Sequence, residues 1–328
     1  MRLLKAFDIQ PADDPARTLA ERREKRIREA IAALLAGIAA LFAGDAVLAM
    51  ISRLDTQGLV RLLDSEEAKD LFVAGYQPVA DTFLAAAQQA ANDNFAGAIS
   101  YDPLKAAAAL QALRQELADE IAASARVAIQ TAVLEGLRSG MAPAAIAGRI
   151  RDMVGLDAQS AKAVANYRRL LETGDRTALR RALRDQRYDD LVRAVIRGDR
   201  KLAPDVVDKM VEAYAKRMLD YRASRMAATE AMQAAVSGIR DAHLQAVNSG
   251  RLFDSEVKRF WLTAADERVC PVCSSVPVLN EDGVGVNEPY KSIDGPIEAP
   301  VAHPWCRCSE RYVADLSRLT QQPFPLAA

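Results

Sequence analysis

The stretch "WLTAADERVCPVCSSVPVL", residues 261–279, decides how this chain divides. It opens with a strand-like run and passes at once into Cys270-Pro-Val-Cys273. A second stretch, "HPWCRCSER" at 303–311, repeats the frame as His303-Pro-Trp-Cys306 and adds Cys308 two residues later. Together the two stretches hold all four cysteines and one of the two histidines of a 328-residue chain. A four-residue turn of this kind can aim both end side chains at one point. Two such turns supply the sulfur and nitrogen donors that a tetrahedral zinc ion prefers. Five donors compete for four places. The equivalence of the two turns favours Cys270, Cys273, His303 and Cys306, with Cys308 in reserve. The alternative turns Cys308 inward and leaves Cys306 out. Disulfides formed after release from a cell, and unpaired core cysteines, are the competing readings.

Working outward, the texture changes at Gly250. "EVKRFWLTA" alternates and reads as a strand. Glycines and prolines then cluster through "PVLNEDGVGVNEPYKSIDGPIEAP", and "SERYVADL" reads as a second short strand. A loop-rich module of this size buries little apolar area and needs a staple. A closed set of four protein ligands is structural and leaves no position for water. Trp261 and Trp305 are expected to cover the site as a miniature core. Asp266, Glu267, Arg268 and Arg307 are expected to brace it from outside the ligand shell.

Upstream the apolar residues recur at helical spacing. The charged run "RTLAERREKRIREA" continues into "AIAALLAGIAALFAG", so one long helix is expected over 17–52. The apolar part reaches Asp45 after about fifteen residues, below the roughly 20 that a membrane span needs, and reads as a buried helix. Pro78 is expected to kink or split the next helix, and 92–103 reads as a loop. Further helices run from Pro103 to a stop at Gly140, from Pro143, from a cap at Asp157 to Gly174, and, as one helix or two, over 202–250. The expected fold is mainly α: an elongated multi-helix body followed by a small C-terminal zinc-ribbon-like α+β module. The expected divisions are 1–125, 126–250, 251–318 and a tail at 319–328.

The formal net charge is −1, so no global basicity points to nucleic acid. Locally, Arg168 to Arg225 carries sixteen basic against ten acidic residues, an excess of six. Arg180, Arg181, Arg184, Arg187, Arg193 and Arg197 are the candidates for phosphate contact with double-stranded DNA. The plainer reading is solvated faces with ion pairs at helical spacing. His243 lies inside the helical body and reads as an ordinary helix-surface or interhelical residue. No Ser/His/Asp set can be built without it or a ligand. "DGVGV" at 282–286 is too short for a phosphate loop. A nucleobase deaminase places its His-x-Glu before the cysteine pair, the reverse of the order here.

These residues resemble a known family. Trp261, Thr263, Asp266, Glu267, Arg268, Cys270, Pro271 and Cys273, followed by His303, Pro304, Cys306, Arg307 and Cys308, are similar to the signature of the phage head morphogenesis proteins, the Mu F-like minor head proteins of tailed phages. Upstream, Arg222, Thr229 and Glu230 match a helical motif of that family, with alanine where an arginine usually stands. The likeness covers roughly 222–312. It implies a non-enzymatic minor capsid component that associates with the portal protein and other head proteins and assists head assembly or DNA delivery. It implies a place in the virion and, during assembly, in the host cytoplasm, with no membrane and no small-molecule substrate. The short tail after Cys308 is expected to leave no room for an added effector domain. A stand-alone zinc-ribbon DNA-binding protein is the alternative. A zinc hydrolase built on Glu267 and His303 is a third.

Overall fold

A computed structural model describes residues 14–95 and 99–315. The tail at 319–328 and part of the loop expected at 92–103 lie outside these. Among the described residues the chain forms α1 (Pro15–Ala40), α2 (Asp45–Ser52), α3 (Thr56–Arg61), α4 (Glu66–Phe95), α5 (Ala107–Arg138), α6 (Pro143–Val154), α7 (Ala158–Glu172), α8 (Asp189–Ile196) and α9 (Pro204–Asn248). Then come β1 (Val257–Leu262), α10 (Pro271–Leu279) and β2 (Ser309–Ala314). The protein is mainly helical, with one small antiparallel sheet near its C-terminus.

Two compact units share these elements. One comprises Met1–Arg28, Tyr76–Leu113 and Arg225–Ala328, the other Glu29–Gly75 and Arg114–Ser224. Both are discontinuous in sequence, and their limits do not coincide with the divisions expected at 125 and 250. Composition marks where loops are cheap, but a unit is defined by which faces bury each other, and long helices here contribute one half to each.

The helix over 17–52 is in fact two. α1 stops at Ala40, and Gly44, at φ 94°, begins the turn into α2. That φ suits glycine, which lacks the Cβ that would clash there. The apolar stretch is buried as expected, through Ile31, Leu34, Leu35, Ile38 and Phe42. No single described helix is long and apolar enough to cross a membrane. Pro78 does not split its helix, since α4 runs unbroken for 30 residues. Burial of Tyr76, Val79 and Phe83 around the proline offsets the one lost backbone bond. The other punctuation is as read. Asp157 caps α7 by accepting the Ser160 N–H at 2.7 Å, Gly140, Gly174 and Gly250 adopt positive φ, and 204–248 is one helix.

In the second unit, α5 buries Leu117, Ile121, Ala125, Ala128, Ile129, Ala132 and Val133, one stripe at spacings of three and four. Arg222 is fully buried there. Its guanidinium donates to the Gly155 carbonyl at 2.8 Å and the Ser124 hydroxyl at 3.2 Å, and lies 3.4 Å from Glu120.

In the first unit, α9 and α4 approach closely at Gly238. A Cβ at Gly238 would collide with the Phe83 carbonyl, so only glycine fits. His243 is fully buried, stacked on Tyr312 at 3.9 Å and edge-on to Phe95 at 5.0 Å. Its Nδ1 lies 2.9 Å from the Ile239 carbonyl, which can only accept. The proton therefore sits on Nδ1, and Nε2 accepts from Asn94 at 3.4 Å. This is the interhelical residue expected from its position. Burial pushes its pKa from 6.5 down to about 4. Because the folded value lies below the unfolded one, its contribution is present above pH 6.5 and is lost as pH falls toward 4. We expect a loss of about 3 kcal/mol over that window. Urea midpoints measured against pH should show it, and His243→Phe should flatten the slope.

Candidate metal centre

β1 and β2 pair antiparallel with Arg259 opposite Tyr312 and Trp261 opposite Glu310. Strand parity turns Val257, Arg259 and Trp261 to the same, buried side. Trp261 joins Cys273, Val276, Val284, Tyr290, Cys306 and Cys308 in one buried cluster. The tryptophan thus packs in the same cluster as Cys273, Cys306 and Cys308. Trp305 does not. It is 42 % exposed and holds φ 63° at the centre of the His303–Cys306 turn, which aims the donors on either side inward and the indole away.

Cys270 is the N-cap of α10 and Pro271 its first residue, so Cys273 follows within the first turn. The Cys270 sulfur accepts the Cys273 N–H at 3.4 Å. A helix N-terminus with free N–H groups favours a thiolate there. The second turn is closed by the Cys306 N–H bonding the His303 carbonyl at 3.0 Å. The Cys306 sulfur in turn accepts backbone N–H groups of Cys308 and Ala302.

The two turns face each other. His303 Nε2 lies 3.3 Å from the Cys270 sulfur and 3.4 Å from the Cys273 sulfur, and the Cys273 and Cys306 sulfurs are 3.8 Å apart. A tetrahedral ion with bonds of about 2.3 Å to sulfur and about 2.0 Å to nitrogen sets sulfur–sulfur edges of about 3.8 Å and sulfur–nitrogen edges of about 3.5 Å. These three separations lie within about 0.2 Å of those edges. His303 Nδ1 lies 2.9 Å from the Pro304 carbonyl. It must carry the proton, which leaves the Nε2 lone pair directed at the sulfurs, as a ligand requires. The five donors are positioned to bind a metal ion. They form two overlapping trios, Cys270/Cys273/His303 and Cys273/Cys306/Cys308, with donor atoms within 4.8 Å of one another in each. Cys273 belongs to both.

The thiols cannot all ionise unaided. Cys306 is held down to about 5, chiefly by the hydrogen bond from the Cys308 thiol. Cys308 is driven up by that same bond and by burial, and Cys273 is pushed up to about 12 by burial and the neighbouring Cys306. A divalent cation removes this conflict by neutralising the sulfurs.

Around the donors, Asp266 accepts from the Arg307 guanidinium at 2.6 Å and the Arg268 N–H at 3.0 Å. Hydrogen bonding from Arg307 holds its carboxyl below the usual range. Asp266, Arg268 and Arg307 are thus brought together. Glu267 is exposed and, among the described residues, joins none of these contacts. The turn spends one carboxylate on bracing and leaves the next in water.

Three sets of supporting residues were not read from the sequence. Thr229 on α9 donates to the Arg225 carbonyl and accepts the Trp305 N–H at 3.1 Å, which ties the helix to the second turn. Arg17 donates to the carbonyls of Thr263 and Arg307, both at 3.2 Å, while Asp14 accepts from Ser309. Arg259, fully buried, donates to the carbonyls of Gly285, Glu288 and Glu298 and to Glu310 at 3.1 Å. Glu310 also accepts from Tyr290 at 3.1 Å and Tyr312 at 2.5 Å. Two of these sets left a sequence signal: Thr229 stands in the helical motif quoted above, and Arg259 shares parity with Val257 and Trp261 on β1.

Most of the arginines singled out for DNA are engaged. Arg184 grips Asp189 through two bonds of 2.9 and 2.8 Å, Arg187 grips Asp185, and Arg193 and Arg197 pair with Asp190 and Asp199. Arg180 is exposed and Arg181 half-buried. A phosphate would have to displace an aspartate from four of the six, so paired faces describe this surface better.

No family model, no curated protein and no solved structure matches the chain.

Proposed function

We propose that this chain is a minor head protein of a tailed phage or prophage, held at the portal vertex, and that its metal centre is a structural zinc site. The observation that carries the reading is convergence. The segments that bear the likeness to head morphogenesis proteins lie far apart in sequence, yet they meet at one place: Thr229 against Trp305, Asp266 against Arg307, and Cys270 against His303. Zinc is favoured by the three-sulfur-to-four-sulfur, one-imidazole donor choice and by tetrahedral edge lengths. Four protein ligands complete that geometry, which suits a staple and leaves no place for a reacting water. The support from α9 and α1 suits a part that must hold its shape inside an assembly.

Particles made without the gene test this reading. We expect aberrant or poorly infective heads, and we expect the chain in purified wild-type heads at low copy number. Normal assembly, DNA filling and infectivity without it, together with its absence from wild-type heads, would overturn the proposal.

A further inference from the structure

We propose that the last turn of α10, with the loop segment at 291–294, forms a docking face for a cationic protein surface in the phage head; this rests on the head-protein reading. Val278, Leu279 and Ile293 are 62 %, 46 % and 65 % exposed. They are neighbours in space. The Ser275 hydroxyl accepts the Ile293 N–H at 3.2 Å, and Val278 and Leu279 follow Ser275 by three and four positions, which puts all three on one helix face. Asn280 fixes the loop from the other side, donating to the Lys291 carbonyl at 2.8 Å and accepting the Lys291 N–H at 3.0 Å. The opposite face of α10 carries the buried Cys273 and Val276, so the face is held rigidly.

A module with so little core gains from burying every apolar side chain it has. Three turned outward together expose on the order of 300 Å², the size at which a patch on a monomer tends to be functional. The rim identifies the occupant. Glu281, Asp282 and Asp294 are exposed around the patch, and residues 280–298 carry five acidic side chains against the single Lys291. Such a rim repels a second copy of itself and repels DNA. Its complement is an apolar pocket or knob bordered by lysine and arginine. The patch is smaller than a whole interface and fits the buried centre of one, where most binding energy concentrates.

The test complements a gene deletion with full-length Val278→Asp/Ile293→Asp and measures its amount in purified heads, with metal content as the control for folding. We expect incorporation to fall at least roughly tenfold with metal content unchanged. Wild-type incorporation would overturn the proposal. If metal content falls as well, the solvent-exposed pair Glu281→Lys/Asp282→Lys decides: reduced incorporation supports the cationic partner, and normal incorporation overturns it. Absence of the unmodified chain from heads would overturn the head-protein reading itself, a different failure from normal incorporation of the variants.

Discussion

Cys273→Ser is expected to abolish metal binding and loosen residues 257–314, at a cost of several kcal/mol in line with structural zinc. The expectation follows from the overlap of the two donor trios. Loss of Cys306 or Cys308 leaves the other beside Cys273, so a fourth ligand remains. Loss of Cys273 separates Cys270 and His303 from Cys306 and Cys308, because it is the one donor common to both trios. Metal content should therefore fall from one ion per chain to near none in Cys273→Ser, while Cys306→Ser and Cys308→Ser each keep an ion. Hydrogen exchange should rise through β1, α10 and β2. It should stay unchanged in Glu29–Gly75 and Arg114–Ser224, which form the other compact unit. Equal exchange in 257–314 with and without a chelator would contradict the staple.

Arg259→Met should be comparably severe for a different reason. Arg259 and Glu310 form an ion pair with both side chains fully buried. Removing the cation strands a carboxylate among tyrosines and orphans three loop carbonyls. Breaking such a pair from one side costs about 3–5 kcal/mol. Adding Glu310→Gln to Arg259→Met should return at least about 1 kcal/mol, since the stranded charge is gone while the carbonyls remain unserved. Denaturant midpoints of the two variants check this. An unchanged midpoint in Arg259→Met would show that the loop at 285–298 is held some other way. The module thus holds one staple of buried charge and, on the proposed reading, a second of metal, and only the second is visible in residue type.

That contrast shows what a sequence exposes. Cysteine and histidine are rare here, so their spacing stood out, and the fold brings all five donors together. Helix stops at Gly140, Gly174 and Gly250 and the cap at Asp157 were legible because each is a local backbone requirement. Both strands were legible from alternation. The rest depends on partners distant in sequence. Arg17 opens a charged helical run, yet its guanidinium serves carbonyls of residues 263 and 307. Trp305 reads as core by composition, but the positive φ of its turn directs it outward. Pro78 reads as a kink or a split, and α4 runs unbroken through it with apolar residues buried on either side. The two interleaved units could not be read from composition, because they are defined by burial across long helices.

We propose that a closed, inert metal centre builds this module. X-ray absorption at the zinc edge of the purified full-length chain tests it most directly. We predict one zinc per chain with a shell of sulfurs near about 2.3 Å, one imidazole nitrogen near about 2.0 Å and no oxygen. A chain purified without metal, or a zinc carrying a water oxygen in its first shell, would contradict it.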